Sequence, residues 1–191
     1  MNIERKKILV TGGAGFIGSH VVGLLCNEGY QITVVDDLRF GHEDFVDKRA
    51  KFLKIAIENT QELDKALEGV DLVMHLAASS IIAGSFDHPV EYFENNVVNG
   101  VRLLESMRKS GVKKIIYSST SSVYGNPVKT PIQESDPVNP ITIYGSSKLA
   151  FEHALQSYYH SFGIESVSLR YYNAYGPHDD QMPRTRAIPM W

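Results

Sequence analysis

The chain has 191 residues, a single cysteine and a formal net charge of −3, with acidic and basic side chains interspersed. That length is enough for one domain with a substantial core. The charge balance supplies no basic footprint for nucleic acid, lone Cys26 excludes a disulfide framework or a cysteine-rich zinc site, and no run approaches the ~20 apolar residues of a membrane span.

Cys26 reads as small apolar filler in a helix. The first apolar run, ILVT, is too short for the core of a signal peptide, so a soluble, cytoplasmic protein is expected.

In chain order, short apolar runs alternate with longer segments of helical periodicity. KILVTG leads into GFIGSHVVGLLCNEG. QITVVDD precedes a polar loop, and KFLKIAI precedes TQELDKALEG. DLVMHLA leads to a segment ending NVVNGVRLLESMRKSG. KKIIYSS leads, through a Pro-rich loop, to IYGSSKLAFEHALQSYYHSFG, and ESVSLRYYN is a sixth strand candidate. Near-continuous apolar strands predict burial on both faces, as in parallel sheets. The alternation predicts an α/β fold with a doubly wound, Rossmann-type parallel sheet. In such sheets ligands bind beyond the carboxyl ends of the strands.

Three features at those ends carry chemistry. The first strand runs into TGGAGFIGSH, where Gly12, Gly15 and Gly18 are spaced three apart and Gly13, Gly15 and Gly18 match G-x-G-x-x-G. A pyrophosphate site needs a sharp turn, close backbone approach and tight helix packing, which glycine allows. Asp36 closes the second strand, where an acid accepts hydrogen bonds from ribose hydroxyls and repels a 2′-phosphate, favouring NAD over NADP. Second, Tyr144 and Lys148 stand four apart on a predicted helix and so share a face. A neighbouring ammonium favours the phenolate, which makes the pair a candidate acid/base for an alcohol–ketone conversion. Third, SSTSSVYG, Ser118 to Gly125, puts five hydroxyls at a strand end.

Together the segments ILVTGGAGFIGSH, VVDDL, DLVMHLAA, NNVVNGVRLLE, IIYSSTSSVYG, YGSSKLAFE and LRYYNAYGP resemble the extended short-chain dehydrogenases/reductases of the NAD-dependent nucleotide-sugar epimerase/dehydratase family. They occur in the family's order over nearly the whole chain. The resemblance implies a cofactor role for Gly12, Gly15, Phe16, Ile17 and Gly18 at the pyrophosphate turn. It implies the same for Asp36, Asp37 and Leu38 at the adenosine end, for Ile57, and for Leu76, Ala77 and Ala78 under the cofactor. Asn96 would orient the central helix near the nicotinamide ribose, Lys148 would bond that ribose, and Ser118 and Tyr171 would flank the cofactor. Thr120, five positions before the glycine of VYG, joins Tyr144 and Lys148 as catalytic. Ser79, Thr120, Ser121, Tyr144 and Asn173 would face the sugar nucleotide. Ser119, Ser121 and Ser122 read first as satisfied turn hydroxyls, with contact to the sugar as the alternative for Ser121.

The family's dehydratases carry an Asp-Glu pair directly after the catalytic Thr, and its decarboxylating members usually a Glu in the same run. Ser121 and Ser122 stand there instead, so the resemblance implies epimerisation, most often at C4 of a UDP-hexose. A truncated NAD-binding module, or a nucleotide-sugar reductase or dehydrogenase, is the alternative. Where the family usually has Asp-Ile or Asp-Val after the third strand, this chain has Ala56 and Ile57, which predicts weakened adenine reading. Residues 1–177 read as the NAD-binding domain. Residues 178–191 read as the start of a substrate-binding lobe that is largely missing, with Arg184 and Arg186 as either diphosphate contacts or a charged lobe linker and Trp191 as an interrupted core residue. The helices around NVVNGVRLLESM and KLAFEHALQSYY resemble those that pair the family's homodimers into a four-helix bundle. No metal is expected: His75 reads as a packed strand residue, and His178, Asp179 and Asp180 as a solvated loop.

Overall fold

A computed structural model describes residues 6–179. Its six strands are β1 (Lys7–Thr11), β2 (Gln31–Asp36), β3 (Lys51–Lys54), β4 (Leu72–His75), β5 (Lys114–Thr120) and β6 (Glu165–Tyr171). They form one parallel sheet in the order β3-β2-β1-β4-β5-β6. The helices are α1 (Phe16–Asn27), α2 (Thr60–Ala66), α3 (Ile82–Asp87), α4 (Pro89–Phe93), α5 (Asn99–Ser110) and α6 (Ile143–Phe162). The fold is the predicted Rossmann-type α/β sheet. Its strand order reverses between β1 and β4, which opens a crevice at their carboxyl ends.

Strand alternation sorts the apolar side chains onto two faces. Leu9, Val35, Val73, Ile115 and Tyr117 face a core shared with Leu63 and Leu67, with Leu103, Leu104 and Met107, and with Phe151 and Leu155, from α2 and its C-cap, α5 and α6. Ile8, Val10, Ile32 and Val34 pack on the opposite face against Val22 of α1. Slipping any strand by one residue would exchange these sets, so burial fixes the register.

Two elements differ from the sequence expectation. The run KFLKIAI is a strand only to Lys54, because β3 is an edge strand whose one neighbour, β2, ends at its partner Asp36. Beyond that point Ile55 and Ile57 turn into the core. Exposed Lys51 and Lys54 suit an edge rather than a strand buried on both faces. The segment before α5 is also not one helix. After α3 and α4, residues Glu94–Val98 make a π turn, a local widening often found at functional sites.

Candidate active site

At the end of β1 the chain turns at Gly12, whose φ of +72° is in the left-handed region that favours glycine. A Cβ at Gly12 would stand 2.5 Å from the Ala77 nitrogen, and one at Gly18 would overlap the carbonyl oxygen of Gly12. These two glycines close the turn, whereas Gly13 lies against Val34 and serves helix–sheet packing. Helix α1 starts at Phe16 with no side-chain cap and no acid in its first turn. The amino end of a helix that starts this way carries the positive end of its dipole, in the arrangement that binds anions.

Asp36 is buried beside this turn. Its Oδ2 accepts the Ala14 N–H at 3.0 Å and its Oδ1 the Leu38 N–H at 2.9 Å. Burial raises its pKa, against the lowering effect of these two bonds. Each oxygen keeps a further lone pair, so the carboxylate is anchored and can still accept a ribose hydroxyl. Leu38 holds a left-handed φ of +61°, a strained conformation of a kind that clusters at ligand sites. Asp37 is turned to Arg39, whose N–H it accepts at 2.9 Å. The Ile57 side chain is in the core, which leaves only its backbone to a ligand. The Ala56 carbonyl closes a turn with the Asn59 N–H at 2.9 Å.

Leu76, Ala77 and Ala78 follow β4 and are half-buried, with Leu76 and Ala77 tied to Thr11 through its carbonyl and hydroxyl oxygens. Asn96, in the π turn, accepts the Ser79 N–H at 2.8 Å and donates to the Ser79 carbonyl and the Ser147 hydroxyl, both at 3.0 Å. Both of its amide donors are thus used within the protein. Asn96 ties the β4 loop to α6 next to Lys148. The Ser79 hydroxyl accepts from Asn95 at 3.0 Å.

Thr120 ends β5 and caps the 3-10 turn Ser121–Tyr124, its Oγ1 accepting the Ser122 N–H at 3.2 Å. The hydroxyl proton remains available to a ligand. Tyr144 sits in the first turn of α6, which Thr142 caps through the Gly145 N–H at 3.0 Å. Lys148, one turn on, donates from Nζ to the Ser118 carbonyl at 2.8 Å. That nitrogen lies 4.9 Å from the Tyr117 ring centroid and 5.9 Å from that of Tyr144. Tyr171 ends β6 beside Thr120 in register. Ser121 is half-buried and Asn173 exposed on the loop beyond β6.

Several groups were not foreseen. Ser119 is not a turn hydroxyl; it donates to Glu152, which also holds Arg170. Glu152 stands four residues after Lys148, a spacing that could have marked it. His178 and Asp179 are not a solvated loop. Asp179 is buried, and the His178 ring stacks on Phe45 at 4.0 Å and on His20 at 5.4 Å. Asp180, Arg184, Arg186 and Trp191 lie outside the described residues, as does nearly all of the predicted 178–191 segment.

Two buried bases make stability depend on pH. Burial lowers the Lys148 ammonium to about 7; burial, then repulsion from Lys148, lowers the His75 imidazolium to about 3. His75 is thus a neutral strand residue, its Nδ1 2.7 Å from the Thr11 hydroxyl. Each group binds a proton more readily in the unfolded chain. Stability should therefore rise with pH from about 3 to the ordinary histidine value of 6.5, and again from about 7 towards the ordinary lysine value of 10.5. Urea unfolding of the cofactor-free chain at pH 5, 7 and 9.5 measures this. Lys148→Met should flatten the upper rise; a parent chain equally stable at pH 7 and 9.5 would contradict the burial argument.

The profile of the NAD dependent epimerase/dehydratase family matches residues 8–191. The chain belongs to this family. It is 42% identical to the UDP-glucose 4-epimerase of Halalkalibacterium halodurans over 96% of its own length and 57% of that relative's. It is 41% identical to the enzyme of the same name from Lactobacillus helveticus, over 96% and 58%. Among solved structures it is similar to the UDP-glucose 4-epimerase of Thermotoga maritima with UDP-glucose, at a TM-score of 0.91, 38% identity and coverage of 96% and 61%. It is also similar to that of Brucella ovis in complex with NAD, at 0.88, 38%, 93% and 55%. This family member thus spans a little over half the length of these relatives.

Proposed function

We propose that this chain is the NAD-binding and catalytic part of a nucleotide-sugar epimerase acting at C4 of a UDP-hexose, with residues 1–177 as the cofactor-binding unit. The observation that carries the proposal is the gathering of the glycine turn, Asp36, Thr120, Tyr144 and Lys148 at the carboxyl edge of one sheet. Relatives named UDP-glucose 4-epimerase, and structures of such enzymes with NAD or UDP-glucose, support it.

The residues fit a dinucleotide. Gly12 and Gly18 leave no side chain in the turn, the amino end of α1 faces the turn with no acid in its first turn to repel a pyrophosphate, and anchored Asp36 accepts ribose hydroxyls. NAD, when bound, supplies a hydride acceptor that takes hydrogen from the carbinol carbon and gives it back. Tyr144 removes the proton of that sugar hydroxyl as the carbinol becomes a ketone and restores it at the end. Lys148 favours the phenolate form and holds the ribose. Thr120 donates its hydroxyl proton to the same sugar oxygen. Leu76, Ala77, Ala78, Ser118 and Tyr171 would line the cofactor; Ser79, Ser121 and Asn173 would face the sugar nucleotide. Ser121 and Ser122 supply no carboxylate for water elimination, so the ketone turns over and is reduced on its other face. Interconversion of UDP-glucose with UDP-galactose, and of their N-acetyl forms, by the product of the complete gene tests the proposal. NAD binding without any such turnover would overturn the epimerase reading, and net NADH production would favour a dehydrogenase.

The same reading includes a homodimer. The helices expected to pair are α5 and α6: Phe93 and Val98, in the segment leading into α5, are exposed, as are Tyr159 and Phe162 of α6. Sedimentation should give a dimer, and Phe93→Glu should shift it towards monomer. A monomeric parent at micromolar concentration would contradict this.

A further inference from the structure

Glu152 lies one helical turn beyond Lys148 and two beyond Tyr144. Its Oε1 accepts the Ser119 hydroxyl and, at 3.1 Å, Arg170 Nε; its Oε2 accepts Arg170 Nη2 at 2.7 Å. Arg170 Nη1 donates to the Tyr124 hydroxyl at 2.8 Å, with the guanidinium carbon 4.9 Å from that ring centroid. The side chains of Arg170 and Glu152 are only 25% and 11% exposed.

The partners are placed beside the chemistry. Ser119 precedes Thr120, and Tyr124 ends the turn that Thr120 caps. Arg170 precedes Tyr171 and is paired with Ser119 in register, as Tyr171 is with Thr120. One carboxylate thus joins β5, β6 and α6, the three elements that carry Thr120, Tyr171 and the Tyr144–Lys148 pair. A sequestered ion pair is a poor source of net stability compared with apolar packing. A bidentate Arg–carboxylate fork is instead directional and fixes geometry.

We propose that Glu152 is a positioning residue, which, clamped by Arg170, sets the spacing between Thr120 and the Tyr144–Lys148 face of α6. The proposal rests on the epimerase reading above. Proton transfer does not use Glu152 directly, yet displacement of reacting groups by ~1 Å can cost ~100-fold in rate. Glu152→Gln keeps the shape but turns an amide donor towards Ser119 or Arg170, and Ser119→Ala cuts the link to β5 by removing one hydroxyl.

The test is steady-state turnover of UDP-galactose, NAD affinity and amide exchange at Ser121–Gly125 in the product of the complete gene. Glu152→Gln should lower kcat by roughly tenfold or more, and Ser119→Ala by about fivefold, with KM and the NAD Kd within about twofold. Exchange at Ser121–Gly125 should quicken in both. Parental kcat in the folded variants, or losses that only track the folded fraction, would overturn the proposal. If Glu152→Gln does not fold, Ser119→Ala decides. If the parent protein shows no epimerisation, the functional reading has failed. Amide exchange then judges the positioning claim alone: faster exchange supports it, unchanged exchange overturns it.

Discussion

Tyr144→Phe should lower epimerase kcat by about a thousandfold while leaving unfolding and NAD affinity within about twofold of the parent. The change removes one oxygen from a ring that is 9% exposed, in a helix turn capped independently by Thr142. Packing therefore survives, while the group proposed to accept and return the sugar proton is lost. Lys148 is not placed to replace it, because its Nζ is directed to the Ser118 carbonyl and, in the proposed role, to the cofactor ribose. Thr120→Val should cost less, on the order of a hundredfold, since a shared hydrogen bond is removed rather than the base itself. Steady-state rates on purified variants, with melting curves and NAD titrations as controls, check both. A Tyr144→Phe enzyme of parental rate would remove Tyr144 from the reaction.

Gly18→Ala should destabilise the chain by about 2–3 kcal/mol and abolish measurable NAD binding. The added methyl would overlap the Gly12 carbonyl oxygen and press on the Gly13 Cα at 2.8 Å, and both are backbone atoms of the turn itself. Relief requires α1 to move away from the sheet, which takes its first turn off the proposed pyrophosphate position. Gly23, in the same helix, has nothing within 4 Å of its would-be Cβ. Gly23→Ala should therefore be neutral, or stabilising by up to about 1 kcal/mol. Urea unfolding and NAD titration of the two variants distinguish close approach from helix propensity. Equal effects at both positions would contradict the geometric role of Gly18.

Much of the site is legible in the sequence because it rests on local physics. The turn at Gly12–Gly18 needs glycine because backbone meets backbone there, and Asp36 falls where its strand ends. Tyr144 and Lys148 share a face through spacing alone. What the sequence does not reveal depends on partners distant along the chain. Strand β3 stops at Lys54 because its neighbour stops at Asp36. The Asn96 amide is consumed by Ser79 and Ser147, 17 and 51 residues away. Ser119 meets Glu152 across 33 residues. His178 finds its place against Phe45 and His20 only when the chain returns from β6 to α1. Periodicity and spacing carry no information about such meetings, since each needs the sheet order before it can be drawn.

The central claim is that hydride leaves and returns to the same sugar carbon while Tyr144 handles the proton. Its most direct test is conversion of UDP-galactose deuterated at C4 by the product of the complete gene. The account predicts UDP-glucose that retains the deuterium at C4, with no exchange into water and no net NADH. Deuterium lost to solvent, or oxidised sugar accumulating with NADH, would contradict it.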